Sequence, residues 1–349
     1  MNKQTLAQVA NALVAQDKGL LAADESESTC NKRFAALGIP ETEAARRSYR
    51  ELLLTTPGLA ESINGVILCD ETVRQTTGGA IPFLSVLAEA EILSGIKVDM
   101  GAKDMAGFPG EKITDGLDGL RERLKEYAGM GLQFAKWRAV ITIGEGLPTS
   151  GSIEANAHAL ARYAALCQEA DLVPIVEPEV LMEGEHDLER CAAVTEEVLH
   201  VVFEQLRRQR VLLPGMILKP NMVLPALACP RQESAQAVAD ATVSCLLRAV
   251  PAGVAGIAFL SGGQSPQQAS ERLNAMNKIE GKALPWPLAF SFARAIQQPA
   301  LEIWRGMNEN IVPAQQALYH RANCNRHARR GMYDATLDRE SGFIPVVQP

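Results

Sequence analysis

The sequence has no Cys-x-x-Cys pair, no long hydrophobic run, no excess of positive charge and none of the common metal or nucleotide signatures. Each absence removes a class of protein. Seven cysteines (Cys30, Cys69, Cys167, Cys191, Cys229, Cys245, Cys324) are odd in number and scattered over 349 residues. That reads as reduced thiols filling the core of a cytoplasmic protein, not as a disulfide framework. The longest apolar stretch, residues 250–260, is broken by Pro251, Gly253 and Gly256 and falls short of the ~20 residues a membrane span needs. Residues 1–18 hold no continuous apolar segment and no arginine, so neither a secretory signal nor a transit peptide is expected. With 34 Lys and Arg against 41 Asp and Glu, the net charge is −7. No broad basic face for nucleic acid is expected, and any anionic ligand must be held by a few local cations. The five histidines (His158, His186, His200, His320, His327) show no H-x-H or H-E-x-x-H spacing. They are read as surface, loop or helix residues, and no metal is expected.

What is present is a hydrophobic fraction of 47%, enough for a large core, arranged in a recurring pattern. Eight apolar runs, at residues 20–24, 65–70, 96–100, 134–141, 172–179, 216–222, 257–262 and 288–294, are separated by roughly forty residues, the length of a βα unit. The segments between them carry helical periodicity. Residues 116–130 place Leu117, Leu120, Leu124 and Tyr127 on one stripe. Residues 154–167 are Ala-rich with Ser152 as a candidate cap, and residues 187–208 repeat apolar positions at helical spacing. Ser265 followed by Pro266 reads as a helix start. Eight alternations predict an α/β fold, a (β/α)₈ TIM barrel in a single domain over residues 1–349. An open doubly wound sheet competes, but no G-x-G-x-x-G follows the first run and no G-x-x-x-x-G-K-[ST] occurs anywhere. An N-terminal helical segment (about 1–18) is expected to pack on the outside, and residues from about 331 to 349 form a C-terminal tail.

Nearly every run ends in charge, where a barrel places its chemistry. Side chains two apart share a strand face, so Lys136 pairs with Arg138, Glu177 with Glu179, and Ile217 with Lys219, on runs that neighbour one another in a barrel. Asp24 and Asp70 end the first two runs, and Lys97 and Asp99 lie in the third. A structural ion-pair layer would explain one such lysine. Charges of both signs at successive strand ends point instead to a site, because buried charges survive only in compensated networks. A lysine attacks carbonyls once burial and a neighbouring cation lower its pKa, and Lys136 is that neighbour for Lys219. The resulting iminium makes an adjacent C–C bond cleavable, with carboxylates moving the protons. Ser261-Gly262-Gly263-Gln264-Ser265, between the seventh run and a helix, is a candidate phosphate cradle, with Arg294 supplying countercharge. Lys97 and Arg138 face it across the mouth as a second anion site. The basic stretch at residues 326–330 reads as a solvated helix face.

These residues resemble the class I fructose-bisphosphate aldolases from residue 20 to about 304. The segments that carry the resemblance are Ala22-Ala23-Asp24-Glu25-Ser26, Gly95-Ile96-Lys97-Val98-Asp99, Ala135-Lys136-Trp137-Arg138, Pro174-Ile175-Val176-Glu177-Pro178-Glu179, Leu218-Lys219-Pro220-Asn221-Met222 and Phe259-Leu260-Ser261-Gly262-Gly263-Gln264-Ser265. The resemblance implies reversible cleavage of fructose 1,6-bisphosphate through a covalent Schiff base, with no metal or other cofactor. It implies Lys219 as the Schiff-base lysine, Glu177 as general acid and base, and Asp24 as the residue that helps deprotonate the C4 hydroxyl. Lys136 matches the second lysine and Glu179 the acid that orders both. Ser261, Gly262 and Arg294 match binders of the C1 phosphate; Lys97 and Arg138 match the C6 side, with Arg33 a further contact. It also implies a homo-oligomer, a dimer or tetramer. Sedoheptulose 1,7-bisphosphate and fructose 1-phosphate remain alternative substrates. A non-catalytic barrel acting as scaffold or binding protein is the alternative of another class, opposed by the joint retention of Lys219, Glu177, Asp24 and Lys136. Three departures stand out: Ala293 where the family usually has Gly, Met100 where a lysine is common, and an end, Val346-Val347-Gln348-Pro349, without the usual terminal tyrosine.

Overall fold

A computed structural model describes residues 2–279 and 283–338 of the chain. Ten strands form in chain order: β1 (Gly19–Ala23), β2 (Ile63–Leu68), β3 (Leu93–Lys97), β4 (Ala102–Asp104), β5 (Lys112–Thr114), β6 (Phe134–Ile141), β7 (Val173–Val180), β8 (Ile217–Leu218), β9 (Gly256–Phe259) and β10 (Leu288–Phe292). Eight of them close into a barrel in the order β1-β10-β9-β8-β7-β6-β3-β2, every pair parallel. The eight apolar runs are these eight strands. All eight positions of β7 are buried, as expected of a strand covered on one side by the barrel interior and on the other by helices. The chain is a single-domain TIM barrel. The remaining strands, β4 and β5, pair antiparallel as a hairpin at the mouth, a feature no apolar run announces.

Helix boundaries follow local chemistry. The helix expected over 116–130 begins only at Leu120 (Leu120–Gly129), because Gly116 and Gly119 both adopt positive φ and break the helical path. The expected cap Ser152 lies inside helix Ser150–Glu169. The cap is Thr149, whose side-chain oxygen accepts the Ser152 N–H at 3.2 Å. Asp187 caps helix Leu188–Arg208. Ser265 and Gln268 form a reciprocal capping box at the start of helix Pro266–Asn277.

Two expectations about the outside of the barrel are corrected. Helix Lys3–Leu13 does not pack on the outer surface. Its Leu6, Ala10 and Leu13, with Val14, join one apolar cluster with Leu20, Ala22, Ile67, Phe134, Ile175 and Ile217, the inward layer of the strands. It therefore plugs the lower end, where an apolar stripe three turns long has an apolar layer to cover. The close fit shows at Gly256, where an added Cβ would lie 2.8 Å from Val14. The basic stretch near the end of helix Ile311–Arg329 is not simply solvated. Arg329 donates to the carbonyls of Leu288 and Val14, each at 3.0 Å, and also to that of Lys18. Burial lowers its pKa to about 10. It ties the last helix to the plugged end. Six of the seven cysteines are buried and all are free thiols. Among the described residues no helix is long and apolar enough to cross a membrane.

Candidate active site

The C-terminal ends of the strands surround a cavity of about 550 Å³. Ten of the eleven sequence-predicted residues line it: Asp24, Lys97, Lys136, Arg138, Glu177, Glu179, Lys219, Ser261, Gly262 and Arg294. Parallel register assembles them. Lys97 on β3 lies beside Lys136 on β6, and Arg138 lies beside Glu177 on β7. β8 contributes a ladder of only two residues, and Lys219 follows it directly, its N–H donating to the Val176 carbonyl at 2.8 Å. Beyond it, the Asn221 side-chain carbonyl accepts the Val180 N–H at 3.0 Å while its amide donates to Thr195 and Met222. That fixes how the chain leaves the strand.

At the centre Glu177 lies between two lysines, its Oε1 3.2 Å from Lys219 Nζ and its Oε2 3.5 Å from Lys136 Nζ. Lys136 Nζ also reaches Asp24 at 2.7 Å and Asp99 at 3.8 Å. Lys136, Lys219, Glu177, Asp24 and Asp99 are all buried, so their charges persist only as a set. Burial alone would raise the Asp24 pKa, but the fields of Lys136, Lys219 and Lys97 overcome it and hold it down at about 2. Burial would likewise discharge Lys136, yet Asp24, Glu177 and Asp99 keep its pKa above the ordinary lysine range. Lys136 is a fixed cation. Further out, Glu179 pairs with Arg138, and Lys97 Nζ lies 2.7 Å from an Asp99 carboxylate oxygen.

Two proximal elements carry anion-binding chemistry. Gly262 has φ +57°, a conformation that glycine adopts without strain, and its carbonyl accepts from Arg294 at 3.0 Å. Helix Arg294–Trp304 starts beside it, with Ala293 at the turn. An added Cβ on Gly262 would meet Met182 Sδ at 2.7 Å, and the next amide, Gly263 N–H, donates to that sulfur at 3.3 Å. Met182 thus lies directly against the loop. Its own segment is laced to residues 226–228 by Ala226 N–H to the His186 carbonyl, Leu227 to Met182 and Ala228 to Gly184.

The eleventh expected residue, Arg33, does not line the cavity. Its guanidinium is taken by Glu25, Gln297 and Gln298, and Glu25 also holds Arg50 at 2.9 Å. A charge so engaged stands behind Glu25, which does line the cavity. The lining also includes residues to which the sequence reading gave no role: Ser26, Ser28 and Thr29 at the start of helix Glu27–Ala35, Ser291 on β10, and Lys103 on β4. The Ser291 hydroxyl is buried without a partner. Its signal was available in the inward positions Ala289, Ser291 and Ala293, but it carries no charge to draw attention. Tyr333 is buried elsewhere, its phenol on Asp338, and residues 339–349, including the tyrosine-free end, lie outside the described residues. His320, Cys324 and Asp338 place donor atoms within 4.8 Å of one another, away from the cavity. Asp338 is already held by Arg321 and Tyr333.

The family model described as fructose-bisphosphate aldolase class I matches residues 5–343. A protein of Xanthomonas campestris pv. campestris named probable fructose-bisphosphate aldolase class 1 is 54% identical over 334 residues, covering 95% of this chain and 99% of that one. An Arabidopsis thaliana protein named fructose-bisphosphate aldolase 6, cytosolic, is 49% identical over 322 residues, 92% of this chain and 89% of the other. The solved fructose-bisphosphate aldolase of Plasmodium falciparum superposes with a TM-score of 0.93 at 45% identity, over 95% of this chain and 96% of that one. With the closed barrel and the lysine–carboxylate cavity at its mouth, this match over nearly the whole length places the chain in the class I fructose-bisphosphate aldolase family, lyases that work through a Schiff base.

Proposed function

We propose that Lys219 is the nucleophile for reversible cleavage of fructose 1,6-bisphosphate to dihydroxyacetone phosphate and glyceraldehyde 3-phosphate. The observation that carries this is the Glu177 carboxylate, 3.2 Å from Lys219 and 3.5 Å from Lys136. Lys219 Nζ attacks the C2 carbonyl, and Glu177 passes protons as the carbinolamine forms and loses water, leaving the iminium. Asp24 then takes the C4 hydroxyl proton while the C3–C4 bond breaks and its electrons flow into the iminium. Asp24 is held at about pKa 2 because the charges of Lys136 and Lys219 outweigh its burial. The charge on the Lys219 nitrogen is one of the fields that hold Asp24 down, and cleavage neutralises that charge. Asp24 gains proton affinity in the same step that needs it. Lys136 remains charged throughout and steadies the carboxylates, with Glu179 and Arg138 paired above it.

Ser261, Gly262 and Arg294 take the C1 phosphate, where a glycine turn and a helix start present N–H groups beside a guanidinium. Lys97 and Arg138 stand towards the C6 phosphate. Ala293 brings a methyl group where the family usually has none, so the proximal phosphate seats against a tighter backbone. The relatives named cytosolic favour a cytosolic enzyme, and the family resemblance favours a homo-oligomer; a solution mass equal to the 37.6 kDa chain would refute the latter. The central test is borohydride reduction in the presence of dihydroxyacetone phosphate. A mass increment is expected on the peptide containing Lys219, lost in Lys219→Arg. An adduct on another lysine, or none, overturns the assignment.

A further inference from the structure

We infer that Lys103, on the β4–β5 hairpin, is a further specificity-determining residue, supplying the uncommitted cation that receives the distal phosphate of a bisphosphorylated ketose. The inference rests on the proposed reading that Lys97 and Arg138 face that phosphate. Six cationic side chains line the cavity. Lys136 and Lys219 are committed to the central carboxylates. Lys97 is paired with Asp99, and Arg138 with Glu179. Of these six, only Arg294 and Lys103 have no carboxylate partner among the described residues. They stand on different elements, Arg294 beside the Gly262 turn and Lys103 on the hairpin that follows β3.

A phosphate dianion entering the distal side meets two cations whose charge is already matched, so their pull on it is largely cancelled. The neighbouring carboxylate does not engage Lys103 either, because Asp104 pairs with Lys112 across the hairpin. The hairpin is held in place. The Thr114 hydroxyl donates to the Arg138 carbonyl at 2.8 Å, and Met100 N–H donates to the Asp115 carbonyl at 2.8 Å. Glu111, buried in the connecting loop, accepts from the Thr149 amide and hydroxyl at 2.8 and 2.6 Å. Lys103 is therefore presented from an anchored backbone. Met100, three residues before it, lines the cavity without charge, so the cation on this segment is set at position 103.

The test compares fructose 1,6-bisphosphate with fructose 1-phosphate, which lacks the distal group, on the full-length enzyme carrying Lys103→Met or Lys103→Arg. The methionine variant is expected to raise KM for the bisphosphate by about 3- to 10-fold with kcat changed less than about 2-fold. The parameters for fructose 1-phosphate stay unaltered, and Lys103→Arg restores the bisphosphate KM. The penalty shrinks in high salt, as an exposed charge requires. An unchanged bisphosphate KM in Lys103→Met overturns the inference. If Lys97→Met still raises it, the distal-phosphate reading survives; if neither variant does, that reading falls as well. Equal losses on both substrates also overturn the inference, since they mark damage to the hairpin and not a lost phosphate contact.

Discussion

Asp24 shows how much of the centre rests on charge compensation. Its folded-state pKa is depressed, so its stabilising contribution is fully present above the ordinary carboxylate value and is lost as pH falls through about 2. The shift corresponds to roughly 2 kcal/mol. Denaturant unfolding of the native chain and Asp24→Asn across pH is expected to show their largest difference near neutrality, narrowing between about pH 4 and 2. A constant difference would mean that Asp24 is not held ionised by its neighbours. Met182 lies against the Gly262 turn, its sulfur accepting the Gly263 N–H. Met182→Leu keeps the bulk against Gly262 but removes the sulfur that accepts the Gly263 N–H. KM for fructose 1,6-bisphosphate and Kd for dihydroxyacetone phosphate are expected to rise together by about 2- to 5-fold, as loss of one weak hydrogen bond implies, while glyceraldehyde 3-phosphate binds unchanged. Calorimetric titration with each triose phosphate checks it. Lys219, Glu177, Asp24 and Lys136 were legible in the sequence because a charge in an apolar run is costly unless used. Met182 and Ser291 were not, because a thioether or a hydroxyl in such a run costs little and so signals little. Arg33, expected as a further contact from the family resemblance alone, is held by Glu25, Gln297 and Gln298, partners that only the fold brings to it.

At the scale of elements, the barrel strands were readable because both faces are covered and their runs are almost wholly apolar. The β4–β5 hairpin was not, since all three residues of β4 are exposed and its strands are too short to show alternation. Its existence depends on what it stands on, the end of β6. One helix start was misplaced because Ser152, a residue type that caps helices, lies one turn inside the helix that Thr149 caps. The inward layer of β3 and β6 is a stringent element-level test. A Cβ at Gly95 would lie 2.1 Å from the Phe134 ring, and that ring is enclosed by the cluster at the barrel's lower end. Gly95→Ala is expected to destabilise the enzyme by about 1–3 kcal/mol, read as a lower denaturant midpoint, with Phe134→Leu partly relieving it in the double variant. Additive losses would show that the two sites do not press on each other.

For the whole molecule, the period of the runs dictated a closed barrel, whereas the fate of the first helix could not be read from its own stripe. An amphipathic helix announces that it needs an apolar surface, not which one, and only the closed barrel offers the lower opening. Leu13→Ala is expected to cost about 2–4 kcal/mol, because Leu13 is fully buried beside Gly65 and Leu20. Arg329→Met, which strips the carbonyls of Val14, Lys18 and Leu288 of their donor, is expected to lower the melting temperature while leaving KM within about 2-fold, since those carbonyls would be left unsatisfied at the end opposite the cavity. Thermal melts and steady-state kinetics on each variant separate the two effects. The barrel itself closes where Leu20 meets Ser291. On a chain emerging N-terminus first, Lys219 and its carboxylates are therefore all synthesised before the strand that completes their enclosure. Until that last strand arrives, β1 and β9 are open edges and the inward apolar layer has no lid. Such long-range closure makes folding slow and leaves intermediates prone to aggregation. The order of translation thus leaves nascent chains ending between residues 260 and 288, with β9 made and β10 still to come, as the species most in need of a chaperone.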